Sequence, residues 1–193
     1  MTAKLCYLLG ALRDGSFDVR QGKNYELRIY QDEPKWLLEI AAILSELFGF
    51  RTRIRGNLLR ANGRKPVGAL LAISEYKKPQ GDWPTPAIIK SSLDDEVWWY
   101  VSGFWDAEGG LPWKPECATQ RYISFDQKNK ETLIFIRNFL CKCGIMPTNL
   151  TYTGGVWQFR ITRRESMIKF AGKIHSLHES KKDRLARLVV AVS

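Results

Sequence analysis

The chain repeats itself, and that constrains its fold more than any local propensity. Residues 5–16 (LCYLLGALRDGS) and 99–110 (WYVSGFWDAEGG) are each an apolar helical stretch closed by an acid and a glycine, with the acids, Asp14 and Glu108, 94 residues apart. Downstream, residues 25–50 and 121–145 each read as an alternating strand ending in glutamine, then an amphipathic helix ending in glycine. These glutamines, Gln31 and Gln127, are 96 residues apart. Offsets agreeing within two residues mark one duplicated unit, and two copies of a unit are expected to pack about a pseudo-two-fold axis.

Each copy reads as helix, hairpin, helix, hairpin, helix. In the first, residues 16–21 and 25–31 alternate around a turn at 22–24. Trp36, Leu37, Ile40, Ile43, Leu44 and Leu47 recur at helical spacing over residues 33–48, with Pro34 suited to the first turn and Gly49 to the end. Residues 51–55 and 68–75 are expected to form the second hairpin. In the second copy, strands are expected near 112–116, 121–127, 147–153 and 156–162, with helices over 129–142 and 164–191. The segment KKPQGDWPTP (77–86), with three prolines and a glycine, is the connection. The expected organisation is a first repeat over 1–76, a linker over 77–93 and a second repeat over 94–193, an α/β chain of the α+β type.

Thirty Lys and Arg against 20 Asp and Glu leave a net charge of +10, while 45% hydrophobic residues exclude a disordered chain. No apolar run approaches the ~20 residues that span a bilayer, and Arg13 and Asp14 interrupt the apolar N-terminus, so a soluble, unsecreted protein is expected. Four cysteines without a C-x-x-C pair read as reduced and structural, and His175 and His178 as surface or packing residues. The basic surplus suits a polyanion, with duplex DNA, RNA and an anionic membrane all open on composition alone.

An acid at a helix C-terminus faces the negative end of the macrodipole, a cost that a divalent cation offsets. Small residues (Gly10 or Ala11; Gly103 and Ala107) let two such helices approach closely and bring Asp14 and Glu108 together. The resulting all-oxygen environment suits Mg²⁺ better than zinc. Either acid-glycine pair alone is explained by an ordinary glycine C-cap; its presence in both repeats favours a shared function. The strands add a polar surface. Arg51, Arg53 and Arg55 share one face of RTRIR, and Gln158 and Arg160 one face of VWQFRIT. Arg20, Arg28, Tyr30 and Ser124 extend the candidate DNA-binding set, because such side chains contact phosphates and base edges and a β-ribbon fits a major groove.

VSGFWDAEG (101–109) resembles the nine-residue motif of the LAGLIDADG homing endonucleases, with Gly103, Asp106, Ala107, Glu108 and Gly109 in place. YLLGALRDG (7–15) matches more loosely, its Gly10 one place late and Arg13 standing where the motif has a small residue. The resemblance, to the single-chain, two-motif type, covers nearly the whole chain. It implies two pseudo-symmetric αββαββα repeats whose sheets form a β-saddle over DNA, and an intron-encoded, Mg²⁺-dependent endonuclease, with Ca²⁺ or Mn²⁺ able to occupy the site. It implies Asp14 and Glu108 as catalytic metal ligands, Gln31 and Gln127 as groups that position solvent, and Lys77 and Lys128 as stabilisers of phosphate charge. The implied partner is a duplex of two helical turns, roughly 20 base pairs, bound by a monomer with no membrane and no obligate protein partner. A cytoplasmic, nucleoid-associated location follows, with an organelle left open. The alternative is an RNA maturase or a non-cleaving DNA-binding regulator on the same saddle, which retention of both acids disfavours.

Overall fold

In a computed structural model, residues 1–20, 24–76 and 79–193 are described. The turn expected at 22–24 lies largely outside them, as does Lys77. The first repeat runs α1 (Ala3–Ala11), β1 (Gly15–Arg20), β2 (Asn24–Tyr30), α2 (Pro34–Phe48), β3 (Arg51–Arg55), β4 (Leu58–Asn62) and α3 (Arg64–Ser74). A short α4 (Ala87–Lys90) precedes the second: α5 (Asp94–Glu108), β5 (Gly109–Gly110), β6 (Ile123–Gln127), α6 (Lys130–Lys142), β7 (Thr151–Thr153), β8 (Val156–Ile161) and α7 (Arg164–Ala171). Helix α8 (Glu179–Val192) follows. Each repeat builds a four-stranded antiparallel sheet in the same order, β1-β2-β4-β3 and β5-β6-β8-β7.

Local chemistry explains most boundaries. Helix α2 starts at Pro34, whose missing N–H is no loss in the first turn, and stops at Gly49, which takes the left-handed conformation at φ 67°. Asp94, Asp95 and Glu96 favour the N-terminus of α5 through the helix dipole. The Asn129 side chain caps α6 by accepting from Thr132 N at 2.9 Å.

Three expectations are corrected. Residues 68–75 are not a strand: the partner of β3 is Leu58–Asn62, reached through a tight turn at Gly56 and Asn57, and α3 covers Arg64–Ser74. Val67, Leu70 and Ser74 are its buried residues, three and four apart, a helical period that the short apolar run GALLAIS masked. No strand forms at 112–116, because Pro112 and Pro115 supply no ladder N–H, and β5 ends at Gly110. The helix expected over 164–191 is two helices, broken after Ala171 and restarted where the His178 side chain accepts from Lys181 N.

Helices α1 and α5 pack side by side at the centre. A Cβ on Gly103 would overlap Tyr7 O and approach Ala11 N, and one on Gly10 would overlap Tyr100 O and Phe104 N. The late glycine of the looser first motif is thus a point of backbone contact. The connecting segment is packed as well: Trp83 is buried and stacks on Tyr76 at 4.5 Å between centroids.

Candidate active site

The two motif helices end at the same place. Asp14 closes a 3₁₀ turn (Leu12–Asp14) continuing α1, and Glu108 is the last residue of α5. Each acid is held by the glutamine that ends the second strand of its repeat. Gln31 Nε2 donates to Asp14 Oδ2 at 2.8 Å, and Gln127 Nε2 donates to Glu108 Oε1 at 2.9 Å. The other end of each amide is also fixed, since Gln31 Oε1 accepts from Asp32 N at 2.9 Å and Gln127 Oε1 from Lys128 N at 2.7 Å. With its oxygen on a backbone N–H, each amide must turn its NH₂ to the carboxylate.

Burial pushes both carboxyls upward. Asp14 rises to about 8, with the nearby charge of Glu108 adding to burial and Lys181 and Gln31 opposing them. Glu108 rises to about 7 through burial, opposed by Gln127, Arg13 and Lys181. Two carboxylates that resist ionising beside one another present a pair of hard oxygen donors whose charge a divalent cation would relieve. Among the described residues no group of three or more His, Cys, Asp or Glu could hold a metal.

Two cations that the sequence reading did not assign to this site support it. Arg13 is fully buried. It donates to Trp83 O at 3.0 Å, Pro84 O at 2.8 Å, and Tyr100 Oη and Thr132 Oγ1 at 3.2 Å each. Its guanidinium lies 4.9 Å from the centroid of Tyr76. The residue that breaks the small-residue pattern of the first motif thus ties α1 to the connection and to both α5 and α6. Lys181 on α8 donates to Trp105 O at 2.9 Å and to Asp106 O and Gly109 O at 2.7 Å. It takes the carbonyls at the C-terminus of α5. Burial lowers Lys181 to about 8, against the pull of Asp106 and Asp14. A signal existed: Lys181, Leu185 and Leu188 lie four and three apart and are the buried residues of α8. At the end of the first motif, Gln80 Nε2 of the connection donates to Arg13 O.

The motif's Asp106 is structural. Fully buried, it accepts from Tyr7 Oη, Ser176 Oγ (2.6 Å), Leu177 N (2.7 Å) and His178 N (3.2 Å), pinning the α7–α8 connection to the motif helices. His175 stacks on Trp99 at 4.1 Å, and His178 is buried, so both are packing residues. Lys128 runs along Gly81 of the connection, with its Cβ and Cδ 3.6 and 3.7 Å from where a Gly81 Cβ would stand.

The polar faces of the sheets differ. In the first, register aligns Ser16, Arg28, Arg60 and Arg53 across all four strands. Arg20 and Arg28 pair with Asp18, and Arg28 and Arg60 with Glu26. Arg51, Arg53 and Arg55 are exposed and, among the described residues, make no ion pair. Tyr30 is exposed. In the second sheet Ser124 pairs with Arg160 and Asp126 with Gln158, and Arg160 lies over Tyr122 at 4.4 Å.

Residues 95–175 match a family described as the LAGLIDADG-like domain. The homing endonuclease I-DmoI, solved in complex with DNA and Mn, superposes with a TM-score of 0.67 at 20% identity, over 91% of this chain and 98% of that one. The homing endonuclease I-WcaI, bound to its DNA recognition sequence, superposes with a TM-score of 0.64 at 12% identity, over 94% and 85%. Homing endonuclease I-ApeI of Aeropyrum pernix is 30% identical over 200 residues, which span 96% of this chain and 86% of that protein. With that identity carried across both repeats, the chain belongs to the LAGLIDADG homing endonuclease family.

Proposed function

We propose that the protein is a site-specific endonuclease that cuts both strands of a duplex of two helical turns, roughly 20 base pairs. The carrying observation is the pair Asp14 and Glu108, held by equivalent glutamines at the common end of two crossed helices. Similarity to I-ApeI and to I-DmoI in complex with DNA and Mn supports the reading. Asp14 and Glu108 would hold Mg²⁺, which the all-oxygen donor pair suits, with Mn²⁺ or Ca²⁺ able to occupy the same place. When bound, the cation supplies Lewis acidity to the scissile phosphates.

The chain's own groups do the rest. Gln31 and Gln127 fix the orientation of the two carboxylates and keep an N–H beside them. Lys181 holds the end of α5 and lends positive charge to a site that receives phosphate. Arg13 fixes the end of α1. The free arginines of β3 attract the backbone of one half of the duplex. The protein acts as a monomer, because one chain carries both acids and both sheets. Cleavage of a plasmid library bearing random inserts, with Mg²⁺ and with a chelator, tests the reading. Linear product confined to a set of related inserts and dependent on the cation supports it; sequence-selective binding with no cutting in any divalent metal would replace it with the regulator reading.

A further inference from the structure

The second sheet carries an acid where a DNA-facing surface should have none. Asp126 lies on the polar face of β6, two residues from Ser124 and opposite Gln158 of β8, while the alternate residues Phe125, Phe159 and Ile161 enter the core. Ser124 Oγ donates to Asp126 Oδ2 at 2.9 Å, and Gln158 Nε2 donates to Oδ1. The acids of the first sheet are each neutralised, Asp18 by Arg20 and Arg28, Glu26 by Arg28 and Arg60. Among the described residues Asp126 forms no ion pair. A bare carboxylate on such a surface repels phosphate, so it weakens binding to every sequence alike unless it gains something from particular bases.

Its hydrogen-bonding state says which bases. An ionised carboxylate only accepts, and with two of its about four lone-pair positions filled by Ser124 and Gln158 it has others to offer. In the major groove the base-edge donors are the N4 amino group of cytosine and the N6 amino group of adenine. Adenine sets its N7 acceptor beside that amino group, which opposes a carboxylate; cytosine does not. We propose that Asp126 is a specificity-determining residue that reads a cytosine in the half-site under the second sheet by accepting from its N4 amino group, with Ser124 and Gln158 holding the carboxylate in position. The inference rests on the DNA-binding function proposed above.

The test is selection of bound duplexes from a pool with about two turns of random sequence, in Ca²⁺, so that affinity and not cleavage is read. The wild type should enrich a consensus containing a cytosine that Asp126→Asn replaces with adenine, since an asparagine amide pairs with both N6 and N7 of that base. Discrimination at that position should fall by about fivefold or more, the lower end of the cost of one mismatched pair, and other positions should keep their preferences. A second arm leaves the protein unchanged. N4-methylcytosine, which puts a methyl group where the groove-facing amino hydrogen was, is substituted at each consensus cytosine in turn. One substitution should weaken binding well beyond the rest. An Asp126→Asn consensus identical to the wild type, a uniform rise in affinity for all sequences, or equal tolerance of the methyl group at every cytosine would each overturn the proposal. Should Asp126→Asn fail to fold by circular dichroism, the modified duplexes decide it alone. A wild type that enriches no sequence would remove the DNA-reading function itself, a different result from a consensus that ignores Asp126.

Discussion

The two repeats agree where they hold their acids and differ almost everywhere those acids are supported. Gln31 and Gln127 meet Asp14 and Glu108 through the same amide geometry, each oxygen tied to the next residue's N–H. Behind them the devices diverge. The end of α5 is closed by the buried ammonium of Lys181, whereas the end of the first motif is closed by Gln80, with the Arg13 guanidinium turned away into the connection. The sheets diverge further, arginine-rich on one side and built around Asp126 on the other. A duplicated unit keeps what must act alike on two equivalent phosphates and is free to change what meets two unlike halves of a target.

The largest effect should come from breaking the part that agrees. Asp14→Asn and Glu108→Gln keep side-chain size but remove the charge that would hold a hard cation. Each should lower the cleavage rate in Mg²⁺ on the order of 10²-fold or more, with DNA affinity retained or slightly raised. A nicked product from one variant would show that the halves cut independently, and loss of both cuts would show a shared cation. Wild-type rates of linearisation from either variant would remove both acids from the site.

Next come the supports. Lys181→Met leaves three carbonyls at the end of α5 without their donor and removes the positive charge that favours ionisation of the buried Asp106. It should cost about 3 kcal/mol in denaturant unfolding, as breaking a buried charged contact does. Gln80→Ala, which removes one partly buried neutral bond, should cost about 1 kcal/mol. At the helix crossing, Gly103→Ala should cost about 3 kcal/mol, at or above the usual price of overpacking because the clash is with backbone of α1. Equal costs for Lys181→Met and Gln80→Ala would mean that the ends of the two motif helices are held equally.

How much of this was legible follows from what kind of signal each part leaves. The duplication, both acids and both glutamines are visible because they recur at offsets of 94 and 96 residues. The strand at Leu58–Asn62 is hidden because LLRAN is short, while GALLAIS is apolar enough to pass for either element. Arg13 looked like a defect in the motif. Its role depends on Trp83, Pro84, Tyr100 and Thr132, which approach it only through tertiary packing. Lys181 shares the helical spacing of Leu185 and Leu188, but nothing else in the sequence sets it apart from the other basic residues of α8, and its burial follows from the turn that Asp106 anchors.

Proton affinity sharpens the comparison between the acids. A carboxyl raised in the folded state stabilises the fold fully below its unfolded value near 4 and loses that contribution as pH climbs through its folded value. The metal-free protein should therefore melt at progressively lower temperature as pH rises from about 4 to the 7–8 range reached by Glu108 and Asp14. Asp14→Asn and Glu108→Gln should each flatten that slope, the second also relieving the part of the Asp14 shift that the Glu108 charge causes. Mg²⁺ held by the two acids would have to displace these protons, so below pH 7 its apparent affinity should tighten about tenfold per pH unit for each proton displaced. Calorimetric melting with and without Mg²⁺ over this range measures both, and a pH-independent difference between the two curves would separate the raised acids from cation binding.

The smallest effect lies on the first sheet, between arginines that look alike in sequence. Arg53 is exposed and, among the described residues, makes no ion pair, whereas the exposed Arg20 is held by Asp18 at 2.9 Å. An arginine that meets a phosphate releases a condensed counterion, so its loss should reduce the slope of log affinity against log salt by about 0.9. Arg53→Ala should show that change. Arg20→Ala should leave the slope nearly unaltered, because Arg20 must first give up Asp18, and an exposed, solvent-screened pair of this kind adds little to the fold, so stability should barely move. Fluorescence anisotropy with one duplex over a series of salt concentrations resolves a difference of this size. Equal slopes for the two variants would mean that Asp18 does not hold Arg20 away from DNA, and that the charge compensation distinguishing β1 from β3 is lost on binding.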